Sequence, residues 1–225
     1  MPLNRTLGEL RGELSSRLGF GAAGSNNGAL VPILNNFLFS SQVQLYWGFN
    51  WRVLRAWVVE TIGASQVNVD FPDEIHPDRV DSISIKFSNV WTPPLERGIS
   101  AEMYTSQDRE GVPTHWDMNS ASGTAQIEFW PQTDAIYEYR VFGTAPLGSF
   151  SADGHRTTID SDMVVLHALT GAKLHYRHPD AAYYQQQLIE LMSDQKNKNW
   201  TKRVYKPGDD AGSWLPKPLV VGRDV

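Results

Sequence analysis

The stretch DSDMVVLHALTGAKLH, residues 160–175, decides how this chain is put together. Asp160 is a residue type that caps helix N-termini. Val164, Val165, Ala168 and Ala172 follow at helical spacing, so one face of a helix through His175 is apolar. Just downstream, His178-Pro179 starts another helix, which carries Tyr184, Leu188, Leu191 and Met192. Two such helices need further partners to bury their apolar faces, and the partners lie at the other end of the sequence. There Thr6 and Glu9 form a capping box, Leu7, Leu10, Leu14 and Leu18 line one face, and Gly19 supplies the C-cap. After a loop of Gly, Ser and Asn over 21–28, Pro32 opens a second helix. Its stripe is Leu34, Phe37, Leu38, Ser41 and Leu45, and it runs to about Tyr46.

Between the helix pairs the hydrophobic period changes to two. The runs are Val67, Val69 and Phe71; Val80, Ile83, Ile85 and Phe87; Ile127 and Phe129; and Ile136, Tyr137, Tyr139 and Val141, with Gly, Pro, Asp and Asn between them. The chain therefore reads as α+β. An antiparallel helical bundle is formed by the N- and C-terminal helix pairs (1–49 and 158–193), an antiparallel β-domain is inserted at 50–157, and 194–225 is an extended C-terminal arm. The arm holds seven Lys or Arg against four Asp, three Pro and no sustained periodicity. Its Trp200, Val204, Tyr205, Trp214, Leu215 and Leu219-Val220-Val221 are more apolar than a solvated tail requires, which marks them as anchors for a partner.

Composition narrows the function classes. With 225 residues, a net charge of −5 and 41% hydrophobic residues, the chain has the apolar content of a globular protein. The absence of Cys excludes disulfide frameworks and thiolate metal sites. Apolar runs such as 37–41 and 163–166 fall far short of the roughly 18–20 residues that a membrane span needs, and the charged, periodic N-terminus does not read as a signal peptide. Neither secretion nor membrane insertion is expected. A pI near 5.7 argues against gripping nucleic-acid phosphates as the main role. No long heptad repeat points to a coiled-coil oligomer.

Catalytic signals are weak. His175 and His178, with His167 upstream, are the single His cluster, and they lack the Glu that zincin motifs place beside their ligands; they read as polar helix-end residues. Asp70, Asp73, Glu74, Glu128 and Asp134 could supply a glycosidase pair, with Trp91, Trp116 and Trp130 stacking on sugar rings, but nothing in the sequence sets two carboxylates across a cleft. There is no Gly-x-Ser-x-Gly elbow, no Ser-x-x-Lys box and no phosphate cradle around Gly19, Gly21, Gly24 and Gly28. The sequons at Asn4 and Asn199 have no meaning without secretion. The basic cluster Lys196, Lys198, Lys202, Arg203 and Lys206, interleaved with Trp200 and Tyr205, fits either single-stranded nucleic acid or an acidic protein surface, and the second is preferred.

Taken in order, the motifs resemble the head-to-tail adaptor (connector) proteins of short-tailed bacteriophages, the family that includes tail tubular protein A. The likeness runs over about residues 1–205. It rests on the 7–18 helix; Leu45-Tyr46-Trp47 and Phe49-Asn50-Trp51; Asp70-Phe71-Pro72, Asp78-Arg79-Val80 and Asp81-Ser82-Ile83; Glu128-Phe129-Trp130-Pro131; 137–141; Leu166-His167-Ala168; and 178–184. The resemblance implies a virion structural protein of the neck and tail, not an enzyme, and no cofactor or metal. It implies a twelve-fold homo-oligomeric ring between the portal and the tail nozzle, one that extends the DNA channel and offers a surface to tail fibres or spikes. It also implies that the arm reaches the portal. Trp200, Tyr205, Trp214, Leu215, Val220 and Val221 are then the expected anchors, while Lys202, Arg203 and Lys206 set orientation and encounter rate. Acidity of the body facing the lumen would let DNA pass without sticking. A carbohydrate-binding or cell-wall-degrading tail module is the alternative reading.

Overall fold

The computed structural model describes residues 4–21, 27–105, 109–121 and 123–199. Helix α1 (Leu7–Arg17) begins at the capping box read from the sequence: the Glu9 N–H donates to the Thr6 hydroxyl at 3.3 Å, and the Thr6 N–H donates to the Glu9 carboxylate at 2.9 Å. These bonds satisfy donors that a helix start otherwise leaves without partners. Gly19, at φ +85°, turns the chain away after the C-cap Leu18. Helix α2 spans Val31–Gly48 with a proline in its first turn. Near the other end, Asp160 caps α4 (Ser161–His175), its carboxylate accepting from the Asp162 and Met163 amides, and α5 runs Ala181–Asn199. α3 (Ala101–Tyr104) is a single turn within the strand region.

Helices from both chain ends share one core of Leu7, Leu10, Leu14, Leu34, Leu38, Leu45, Met163, Val164, Ala168 and Leu169. Each Leu, Val or Met side chain taken out of water contributes about 2 kcal/mol. The Leu7 N–H donates to the His155 carbonyl at 2.8 Å and the Arg5 N–H to the Ser161 hydroxyl at 2.9 Å, pinning the first helix to the returning chain. Trp51, Leu54, Phe150 and Ile159 also lie in this core, so the helical lobe borrows the ends of the strand region.

Among the described residues eight strands follow one another: β1 (Arg55–Ile62), β2 (Asn68–Asp70), β3 (Val80–Phe87), β4 (Val90–Trp91), β5 (Glu96–Arg97), β6 (His115–Asn119), β7 (Gln126–Trp130) and β8 (Tyr137–Thr144). They form two four-stranded sheets, ordered β1-β8-β3-β4 and β2-β7-β6-β5. A second core lies between them, with Ile62, Ile83, Ile85, Tyr139 and Val141 of the first sheet meeting Trp116, Ile127 and Phe129 of the second.

The α+β class stands, but the expected architecture is corrected. The molecule is not mainly a helical bundle carrying an insertion, because the strand-rich part is large and has two sheets around a core of its own. Nor is that part wholly antiparallel, since β5 and β6 run parallel. The cause is visible in the strands that alternation missed. β1 is apolar on both faces where Trp57, Val58 and Val59 follow one another, β6 hides Trp116 and Met118 between polar residues, and β4 and β5 are two residues each. Downstream, α5 continues through Asn199, past residue 194 where the arm was expected to begin.

The Arg79 side chain links the lobes. The Arg79 guanidinium donates to the Tyr46 carbonyl and, at 2.7 Å, to the Phe49 carbonyl at the end of α2; it also lies 4.5 Å from the Tyr46 ring centroid. The Tyr46 hydroxyl donates to the Ala145 carbonyl at 3.0 Å, closing the same corner. Here β8 passes so close that a Cβ on Gly143 would sit 2.6 Å from both the Arg79 carbonyl oxygen and Ile75 Cγ2.

Candidate functional site

The expected portal anchors Trp200, Lys202, Arg203, Tyr205, Lys206, Trp214, Leu215, Val220 and Val221 all lie outside the described residues. What the described residues offer a partner is an apolar helix face. α2 contains no Asp, Glu, Lys or Arg over its 18 residues. Its Leu34, Leu38 and Leu45 side is buried, yet Ile33, Phe39 and Trp47 are 42%, 49% and 50% exposed. At about 100° per residue, these three, with Asn36, Ser40 and Val43, share roughly a third of the helix circumference. A helix that is apolar on two sides belongs against something on both.

The three histidines do not converge. His167 shares a hydrogen bond with the Ser41 hydroxyl at 3.0 Å inside the helical lobe, and burial pulls its pKa below the ordinary value. His175 packs edge-on against Phe37, and His178 pairs with Asp180 at the exposed turn before α5. Among the described residues no three His, Asp or Glu side chains gather as a metal site requires.

The carboxylates expected to serve a glycosidase are also dispersed. Glu128 accepts from the Tyr104 hydroxyl at 3.2 Å and from the Asn119 amide at 3.3 Å, in a hollow of about 290 Å³ shared with Trp130 and Gln132. Asp134 accepts from the Tyr137 hydroxyl, and Asp70 from the Gln126 amide at 3.0 Å. Trp116 is core, the Trp130 indole donates to the Met103 carbonyl at 3.1 Å, and Trp91 lies beneath Arg140, 4.5 Å from its ring centroid. Asp117, which sequence reading passed over, stands directly opposite Glu128 in the β6–β7 register. Strict alternation in His115-Trp116-Asp117-Met118-Asn119 was the signal that could have found it. Asp117 accepts from the adjacent Met118 N–H at 2.8 Å, and the two carboxylates stand side by side on one sheet face, both half-buried, and not across a cleft.

Asp70, Asp73 and Glu74 do come together, in a groove of about 730 Å³ between the sheets, joined there by Glu60 of β1. Its lining residues include no Lys, Arg or His. Tyr139, 2% exposed, lines the groove, and its phenol pKa is pushed up to about 12, first by burial and then by Glu60 and Asp70. No protein-family model matches the sequence, and comparison with curated proteins finds no match.

Proposed function

We propose that this protein is a virion structural component, a head-to-tail adaptor of a short-tailed bacteriophage that closes into a ring between portal and tail nozzle. The observation that carries the reading is the charge-free, half-exposed face of α2. Water disfavours such a face, whereas a closed ring covers it once per copy through contact between neighbours. The second support is chemical: among the described residues the histidines are dispersed, and the carboxylates that share a groove, Glu60, Asp70, Asp73 and Glu74, have no Lys, Arg or His in its lining. In this reading the protein is no enzyme and needs no cofactor. It sits in the neck of the virion, passes DNA through its lumen without specific binding, and carries the nozzle and any fibres or spikes on its far side. Trp200, Tyr205, Trp214, Leu215, Val220 and Val221 anchor the portal, while Lys202, Arg203 and Lys206 orient the approach.

Light scattering of the full-length protein mixed with the portal ring of the encoding phage tests this, beside a chain ending at Asn199, where α5 ends. Binding at near-portal stoichiometry by the full chain, lost on truncation, is the expected result. Failure of the full chain to bind would end the adaptor reading. Glycan-dependent Trp fluorescence, abolished by Glu128→Gln, would establish the cell-wall alternative in its place.

A further inference from the structure

The first sheet ends in an open edge. β1 pairs with β8 from Arg55 to Ile62, and, apart from the Arg55 N–H that donates to the Arg52 carbonyl, among the described residues no backbone group of β1 bonds to backbone outside β8. In an antiparallel ladder alternate residues face opposite neighbours, so half of its N–H and C=O groups point away from the sheet. Folded proteins usually shorten such edges, bulge them, or guard them with Lys or Pro. β1 is eight residues long, pairs without a bulge and contains neither residue. Its Trp57 is 62% exposed, with Val59 beside it on the same face. The C-terminal end of this edge opens into the acidic groove, where Glu60 and Thr61 meet Asp70, Asp73 and Glu74. The two features together ask for an extended apolar segment with a cation at one end.

We infer that the open edge of β1 is a strand-addition site and that its occupant is the protein's own C-terminal segment, residues 217–224, Lys-Pro-Leu-Val-Val-Gly-Arg-Asp. Leu219, Val220 and Val221 are suited to a strand, and Pro218 would precede them near its N-terminal end, where a missing N–H costs least. Charge sets the direction. Antiparallel addition brings Lys217 to Glu60 and the groove and Asp224 towards Arg55, whereas parallel addition would set Lys217 against Arg55. The roughly 20 residues between Asn199 and Leu219 span about 60 Å when extended, enough to cross a domain of this size. Tethering holds the segment near the edge at about millimolar effective concentration. Main-chain bonds give such an added strand its affinity and the flanking charges its register. Docked in this way, Val220 and Val221 are withheld from a portal until its surface competes for them; that consequence rests on the adaptor reading, the docking itself does not.

Hydrogen exchange of the full-length protein, read by mass spectrometry, tests the docking without any portal. The peptide covering 55–62 should exchange about tenfold faster in Val220→Pro and in Lys217→Glu, with β3 and β7 unchanged as internal controls. Glu60→Lys should restore protection to Lys217→Glu. Equal β1 exchange in the wild type and Val220→Pro overturns the inference. So does wild-type protection that falls on dilution, because the strand would then belong to another molecule.

Discussion

Replacing Arg79 with Met should loosen the joint between the two lobes by an amount that can be worked out. The guanidinium donates to the carbonyls of Tyr46 and Phe49, which end α2 and find no further helical turn to bond them. A hydrogen bond from a charged donor is worth about 1.5–3 kcal/mol, and here water reaches the half-buried side chain and recovers part of that. Stacking on Tyr46, at 4.5 Å, adds about 0.5–1 kcal/mol. Met keeps the aliphatic stem, so packing changes little, and the net loss should be about 3 kcal/mol. For a chain of this length that is roughly 6–12 °C in Tm. Each lobe has its own core, so the variant should also split a single urea transition in two when far-UV circular dichroism and Trp fluorescence are followed together. A loss below about 1 kcal/mol with coincident transitions would refute the argument, showing that the lobes are held by surface packing and not by this side chain.

Gly143→Ala places a methyl 2.6 Å from the Arg79 carbonyl and Ile75 Cγ2, and should cost about 2–3 kcal/mol or abolish soluble expression; denaturant titration decides it. Acid should weaken the fold in two windows, seen as ΔG of unfolding against pH. The His167 pKa is depressed by burial, so its contribution is full above about 6.5 and is lost as pH falls through the lower folded value; His167→Gln should remove that step. Asp153 and Asp180 are held below the usual carboxylate range by Arg11 and Lys173 respectively, so their contributions are full above about pH 4 and fade as the acid protonates them. Phe39→Ser on the exposed side of α2 should leave Tm within about 1–2 °C and reduce ring assembly in light scattering, while Leu38→Ala on its buried side should cost about 3 kcal/mol.

The sequence alone determined what local chemistry and periodicity encode. The Thr6–Glu9 box, the Asp160 cap and the buried stripes of α1, α2 and α4 stand where spacing put them, because a helix's face and start depend on residues within a few positions. The longer strands with one aliphatic face were legible for the same reason. Tertiary structure decided the rest. β1 escaped because Trp57-Val58-Val59 is apolar on both faces, and its pairing with β8 joins residues 75 to 89 positions apart. The lobe joint, the groove uniting Glu60 with Asp70, Asp73 and Glu74, and the pairing of Asp117 with Glu128 are likewise long-range meetings that no local spacing records. Exposure of Ile33, Phe39 and Trp47 was hidden for a different reason: an apolar residue on a helix reads as core until the neighbours that would cover it are placed, and here the described neighbours leave it to solvent.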